Sequence, residues 1–138
     1  MPHRVLVAQH LARLFSLLSH PVRIRIIAEL RNGELCVNSL QDILGISHSG
    51  VSQHLALLRS HKLIKEHREG RHVFYRLVNA DMAAWLVDGI PFIVPDDSDS
   101  ALLRSAAAFT ADQWSSTAVD GSNTDIEATT TKNSLMMG

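Results

Sequence analysis

The chain has 138 residues, 46% of them hydrophobic, and a formal net charge of -1, which suits one compact domain with a tail. No stretch approaches the roughly 20 apolar residues of a membrane helix and the N-terminus lacks signal-peptide features, so we expect a cytoplasmic protein without a membrane partner. The single cysteine excludes an intrachain disulfide and agrees with a reducing compartment.

The small net charge hides two parts of opposite sign. Residues 1–95 carry 11 Lys and Arg against 7 Asp and Glu, hence +4, whereas residues 96–138 carry 2 against 7, hence -5. Within 59–76, six basic residues stand beside two acidic ones, which indicates either a phosphate-binding surface or a solvated face. We predict that residues 1–95 form the folded domain and that residues 96–138 form an acidic, Ser/Thr-rich tail.

Two helices are predicted at the start of the chain. Apolar residues recur at spacings of three and four over 4–18, which predicts an amphipathic helix ending near Ser19. Pro21 suits the first turn of a second helix, and Asn32 with the glycine after it ends that helix.

A tight turn then joins a short third helix to a fourth. Asn38 or Ser39 is expected to cap the third helix, and Gly45 is expected to end it. The fourth, in SHSGVSQHLALLRSH, begins after Ser47 and has an apolar face at four- and three-residue spacing. Its buried residues are predicted to be Val51, Leu55 and Leu58. This order of elements predicts a helix-turn-helix.

A basic β-hairpin follows the fourth helix. The stretch LIKEHREGRHVFYRLV predicts two strands around a Glu69-Gly70 turn, because apolar and polar residues alternate along it. With a two-residue turn, His67 and His72 lie opposite each other, either as a metal-binding pair or as surface residues. The predicted fold class is therefore mainly α with a β-hairpin wing, a winged helix-turn-helix.

Three stretches together resemble the ArsR/SmtB family of dimeric winged-helix repressors. They are LSHPVRIRIIAEL, GELCVNSLQDILGISHSGVSQHLALLRSHKLI and REGRHVFYRL, in that order, and the resemblance covers residues 10 to 90. It implies a homodimer formed by the first and fifth helices, a recognition helix at 48–60, and release from operator DNA by an inducer.

We predict that double-stranded operator DNA is the partner, bound by the recognition helix and the wing. Small polar side chains let a helix enter the major groove, and basic wing residues suit phosphates. His54 is alternatively a packing residue. The predicted DNA-binding residues are Ser47, His48, Ser49, Ser52, Gln53, His54, Arg59, Lys65, Arg68 and Arg71. A winged-helix module that binds an acidic protein is the alternative, although such a module should show large apolar anchors here.

The two metal sites that the resemblance implies are incomplete in this sequence. Arsenic-type members carry a Cys-Val-Cys pair, but Asn38 stands in place of the second cysteine. Zinc-type members place Asp and His on the last helix; Asp81 fits, but Ala83 stands where a histidine is expected, and no histidine follows His72. Neither ligand set is therefore expected.

Cys36 has three interpretations. We favour a small buried apolar residue. The others are a redox-sensitive thiol near a helix N-terminus and a metal site that joins Cys36 to His3 or His10 of a second subunit. No cofactor is predicted, and an unidentified metal or other inducer is left open.

The C-terminal part should contain two further helices. One is predicted over 81–87 and the other over 100–114, with Ser100 as its cap. From Ser115 onward the composition predicts disorder. No nucleophile, base and orienting group recur at recognisable spacing, so we predict that the protein is not an enzyme.

Overall fold

The computed structural model describes residues 2–96 and 98–115. The regular elements of these residues are α1 (Pro2–Leu18), α2 (Pro21–Glu29), β1 (Leu35–Cys36), α3 (Val37–Leu44), α4 (His48–Ser60), β2 (Ile64–Glu69), β3 (His72–Leu77), α5 (Asp81–Gly89) and α6 (Ala101–Ser115). Helices predominate and the strands form one antiparallel sheet that contains the hairpin, which confirms the predicted fold class. No helix in the described ranges is long and apolar enough to cross a membrane.

The chain folds as two compact units, the first ending at Met82 and the second beginning at Ala83. In the second unit, Arg104 Nη2 donates a hydrogen bond to the Pro95 carbonyl over 3.3 Å. The helix predicted over 100–114 is observed as α6, one residue further along the chain. Ser115 is its last residue, and the disorder predicted beyond that point falls outside the described residues.

Local capping fixes where most helices of the first unit begin and end. Pro21 occupies the first turn of α2, where its missing N–H costs nothing. Ser47 Oγ accepts a hydrogen bond from the Gly50 N–H at 3.1 Å at the start of α4. Gly45 ends α3 in the left-handed conformation with φ of 69°. The predictions for Pro21, Gly45 and Ser47 are confirmed.

The predicted cap of α3 is wrong. Neither Asn38 nor Ser39 lies before the helix, because α3 already begins at Val37 with Cys36 as its N-cap residue. Cys36 pairs with Phe74 in the sheet and has an extended backbone with φ of -86° and ψ of 166°. The strand therefore runs directly into the helix, which leaves Asn38 and Ser39 inside its first turn.

The core lies where α2, α3 and α4 pack together. The fourth helix contributes one apolar face, as predicted, and its three expected core residues are all 0% exposed. The fully or nearly fully buried residues of the other elements include Ile26, Ile27, Leu30, Leu40 and Ile64. Because one face of α4 is buried completely, the opposite face must point to solvent.

The sheet has the strand order β1–β3–β2, and both strand pairs are antiparallel. Glu69 pairs with His72, so the hairpin turn consists of Gly70 and Arg71, one residue later than predicted. Gly70 takes the left-handed φ of 63° that other residues rarely adopt. This shift pairs His67 with Phe74, so the prediction that His67 and His72 face each other is wrong.

Two leucines of α4 provide a test of this packing. Leu55 is 0% exposed and Leu57 is 36% exposed. We expect Leu55→Ala to lower the free energy of unfolding by about 2 to 5 kcal/mol, because it leaves a cavity, and Leu57→Ala to cost about 1 kcal/mol or less. Urea denaturation followed by circular dichroism measures both. Equal losses for the two variants would contradict the orientation of α4.

Candidate nucleic-acid interface

The N-terminal half of α4 presents short polar side chains that are tied to one another. Ser47 Oγ lies 3.3 Å from Ser49 Oγ, and Ser52 Oγ lies 3.5 Å from His48 Nδ1. A Cβ at Gly50 would stand 3.2 Å from Ser47 Oγ, so the glycine leaves room for the capping hydroxyl. The cap therefore fixes both the start of the helix and the position of its first polar residues.

The predicted contact residues of α4 differ in their exposure. Ser47, His48, Ser49 and Gln53 are exposed, whereas Ser52 is only half-exposed. Small side chains around one exposed Gln allow close approach of the helix backbone to a base-pair edge, which the Gln amide can bond with both its donor and its acceptor.

The turn of the hairpin comes close to the start of α4. A cleft of about 200 Å³ is lined by Cys36, Asn38, His48, Arg71 and His72 with two valines. The structure thus brings together His48 of the fourth helix and Arg71 of the wing. Lys65 and Arg68 are exposed on β2, so the wing carries positive charge along its length as well as at its turn.

Arg59 lies at the other end of α4 and has a partner that the sequence did not suggest. Its Nη1 donates to Glu66 Oε1 on β2 at 2.8 Å, and the Tyr75 hydroxyl lies 3.5 Å from Glu66 Oε2. Burial raises the pKa of Tyr75, and the charge of Glu66 raises it further, against the opposing charge of Arg59. In the sequence Glu66 is only one negative charge within a basic stretch, because no local pattern links it to Arg59.

His54 packs against the residue that caps α2. The His54 and His20 rings lie 4.4 Å apart at an angle of 50°, and His20 Nδ1 accepts a hydrogen bond from the Val22 N–H at 3.1 Å. Burial lowers the pKa of His54, and the nearby His20 and Arg23 lower it further. Of the two interpretations of His54, the packing role is the one that this contact supports.

The favoured interpretation of Cys36 as a core residue is wrong. The thiol is only half-buried because it sits at the junction of β1 and α3, beside the cleft. Its Sγ lies 3.3 Å from Ser39 Oγ, and this hydrogen bond is the main cause of a lowered Cys36 pKa, against a smaller effect of burial. A thiol of this kind forms the nucleophilic thiolate more readily than a buried one.

Two pairs of histidines were candidate metal ligands, His3 and His10 on α1 and His67 and His72 in the hairpin. His3 and His10 are exposed on α1, seven residues apart and so on one face of the helix. His67 Nδ1 lies 3.1 Å from both carboxylate oxygens of Glu34, which ties β2 to the segment before β1. Across residues 2–96 and 98–115, no three His, Cys, Asp or Glu side chains come together to hold a metal ion.

Comparison with known proteins gives related sequences. A sequence-family model described as a helix-turn-helix domain matches residues 18–67. The chain is similar to the transcriptional repressor SmtB homolog of Synechocystis sp., with 43% identity over 72 residues, 52% of this chain and 54% of that protein. It is also similar to the biofilm growth-associated repressor of Xylella fastidiosa, with 37% identity over 83 residues, 60% of this chain and 72% of that protein. The chain therefore spans about half the length of the first relative.

A solved structure shares the fold. Reduced HlyU from Vibrio cholerae superposes with a TM-score of 0.60 and 26% identity, and the match covers 69% of this chain and 100% of that chain. The whole of that protein thus corresponds to part of this one, and about a third of this chain lies outside the match.

The burial of His54 beside His20 predicts a pH dependence of stability. Because folding lowers the His54 pKa, the unfolded chain takes up the proton more readily. The contribution of His54 is therefore fully present above its ordinary value of 6.5 and is lost as the pH falls through the lower folded value. We expect the free energy of unfolding to fall as the pH drops below the ordinary histidine value of 6.5, and less so in His54→Gln. Urea denaturation above and below this pH measures it. Identical pH profiles for both proteins would contradict the prediction.

Proposed function

Because the chain belongs to the ArsR/SmtB family of winged helix-turn-helix transcriptional repressors, we propose that it represses transcription as a homodimer bound to double-stranded operator DNA. The observation that carries the proposal is the meeting of α4 and the wing at one cleft, where His48 and Arg71 both contribute to the lining. A short, polar helix start beside a basic turn suits a groove flanked by phosphates.

The two elements have different roles in this proposal. Gln53 reads base edges in the major groove, and the small side chains around it bond bases or phosphates. Arg71 binds the phosphate backbone and positions the protein. The remaining proposed contacts are Ser47, His48, Ser49, Ser52, Arg59, Lys65 and Arg68. The exposed face of α4 carries small polar residues and no large apolar anchor over 47–53, which favours DNA over a protein-interaction module.

A DNA-binding measurement tests the proposal directly. The full chain should bind duplex DNA with an affinity that falls by about a thousandfold or more between about 50 and about 200 mM salt, if a dimer neutralises roughly six to ten phosphates. Fluorescence anisotropy with a labelled duplex follows this change. A flat salt response, or no binding, would overturn the proposed function and favour a protein partner.

Two variants separate positioning from readout in the same assay, with a duplex selected from a random pool as the specific target. Arg71→Ala should weaken binding to selected and unselected DNA by the same factor. Gln53→Ala should lose roughly 1 to 3 kcal/mol of discrimination at particular base pairs. Equal losses on both DNAs for Gln53→Ala would mean that α4 is not the reading helix.

The proposed dimer is supported by the exposure of α1. Its first 15 residues, 2–16, are exposed or half-buried throughout, although they carry apolar side chains. Val5, Leu6, Val7, Leu11 and Phe15 are between 44% and 58% exposed. Of these, Val7, Leu11 and Phe15 recur every four residues and so form a continuous apolar stripe along the helix. An exposed stripe of this kind is typical of a protein–protein interface, and a second copy with two-fold symmetry covers it most simply.

A matched pair of variants on α1 tests the dimer. Leu11 lies on the apolar face, and Gln9, two residues earlier, points in roughly the opposite direction. We expect Leu11→Glu to yield monomers at micromolar concentration, because it places a charge in the interface, and Gln9→Glu to remain dimeric. Sedimentation velocity measures both, with circular dichroism to show that the variants are folded. A wild-type protein that is monomeric at this concentration would contradict the proposed dimer.

A further inference from the structure

Glu66 bridges the recognition helix and the two long strands of the wing. One of its carboxylate oxygens accepts a hydrogen bond from Arg59 of α4 at 2.8 Å. The other lies 3.5 Å from the hydroxyl of Tyr75, which is the direct cross-strand neighbour of Glu66. Both oxygens therefore face a donor, and the carboxylate is held on the side of β2 that faces the end of α4.

The bridge is accessible from outside. The Arg59 side chain is 49% exposed and that of Glu66 is 32% exposed. Exposed ion pairs are weak in water, whereas a guanidinium binds a phosphate with two parallel hydrogen bonds. A phosphate that reaches Arg59 therefore competes with Glu66 for the same donors.

We propose that Glu66 withholds Arg59 from DNA phosphates in the free protein and so limits the strength of backbone contact, an inference that rests on the proposed DNA-binding function. The pair breaks when DNA is bound, and Arg59 then exchanges one carboxylate for one phosphate. Glu66 is thus a positioning residue that acts through Arg59. It lowers the affinity of the protein for DNA of any sequence, and the recognition of bases is left to α4.

The DNA experiment compares two wing carboxylates with a mixed-sequence duplex, so it needs no knowledge of the operator. Glu66→Gln keeps the shape of the side chain but frees Arg59. Glu69→Gln, the control, removes the same charge at the exposed end of β2. We expect Glu66→Gln to bind the duplex more tightly at each salt concentration, because Arg59 then binds a phosphate without first losing a carboxylate, and to change the slope of log affinity against log salt by less than the value of about 0.9 that one added phosphate contact would give. Glu69→Gln should strengthen binding by much less.

The same substitutions in an Arg59→Gln background test whether Glu66 acts through Arg59. If Glu66 acts through Arg59, the gain from Glu66→Gln disappears there, while the smaller gain from Glu69→Gln persists. Equal gains in DNA affinity from Glu66→Gln and Glu69→Gln would overturn the proposal, because the net charge of the wing would then explain both. A full gain from Glu66→Gln in the Arg59→Gln background would overturn it for the same reason.

A measurement without DNA tests the bridge itself. Tyr75 is the single tyrosine of the chain, so its ionisation can be followed alone by ultraviolet absorbance at high pH. Glu66 raises the Tyr75 pKa and Arg59 lowers it, so Glu66→Gln should lower that pKa and Arg59→Gln should raise it. Unchanged titration in both variants would show that the bridge is absent in solution and would overturn the proposal. Normal titration shifts with no DNA binding by any variant would instead overturn the proposed function, and this inference with it.

Discussion

The complete burial of one face of α4 is the constraint on which the rest of the interface depends. Val51, Leu55 and Leu58 are 0% exposed, and an α-helix cannot rotate about its axis while three such side chains stay in the core. The direction of the opposite face is therefore fixed by packing. The polar residues from Ser47 to Gln53 point to solvent because Val51, Leu55 and Leu58 point into the core.

The same burial positions the wing. Ile64, the first residue of β2, is 1% exposed and Leu77, the last of β3, is 7% exposed, so both ends of the hairpin nearest α4 are anchored in the core. Further along the hairpin, β3 pairs with β1 at Tyr75 and Phe74. The side chains of β2 add two polar contacts, His67 with Glu34 and Glu66 with Arg59. Packing thus fixes where the wing starts, and strand pairing together with exposed polar contacts holds it beyond that point.

Features governed by short-range rules could be predicted from the sequence. The helix periods, the Ser47 cap and the Gly45 end depend on residues at most a few positions apart, and the structure has them as expected. The hairpin was predicted too, but its turn was placed one residue early. That error changed every cross-strand partner, because register depends on the exact turn, and it produced the incorrect pairing of His67 with His72.

Features governed by long-range pairing could not be predicted. The strand β1 is only two residues long and exists because Leu35 and Cys36 pair with β3 about 40 residues later. No periodicity can be read from two residues. Because of that pairing, α3 begins earlier than predicted, and Cys36 lies at the edge of the cleft rather than in the core. The interpretation of the cysteine failed for the same reason as the prediction of the cap: both depended on a strand whose partner is distant in sequence.

The bridge at Glu66 shows why counting charges along a sequence misjudges a binding surface. The stretch 59–76 carries a net +4, a number that treats every charge as equally available. In the fold, Arg59 already has a carboxylate at 2.8 Å, whereas Arg71 lines an open cleft beside the start of α4. A cation with an ionic partner must lose it before it binds a phosphate, so its contribution is the difference between two similar interactions. We therefore expect the proposed phosphate contact of Arg71 to strengthen DNA binding more than that of Arg59.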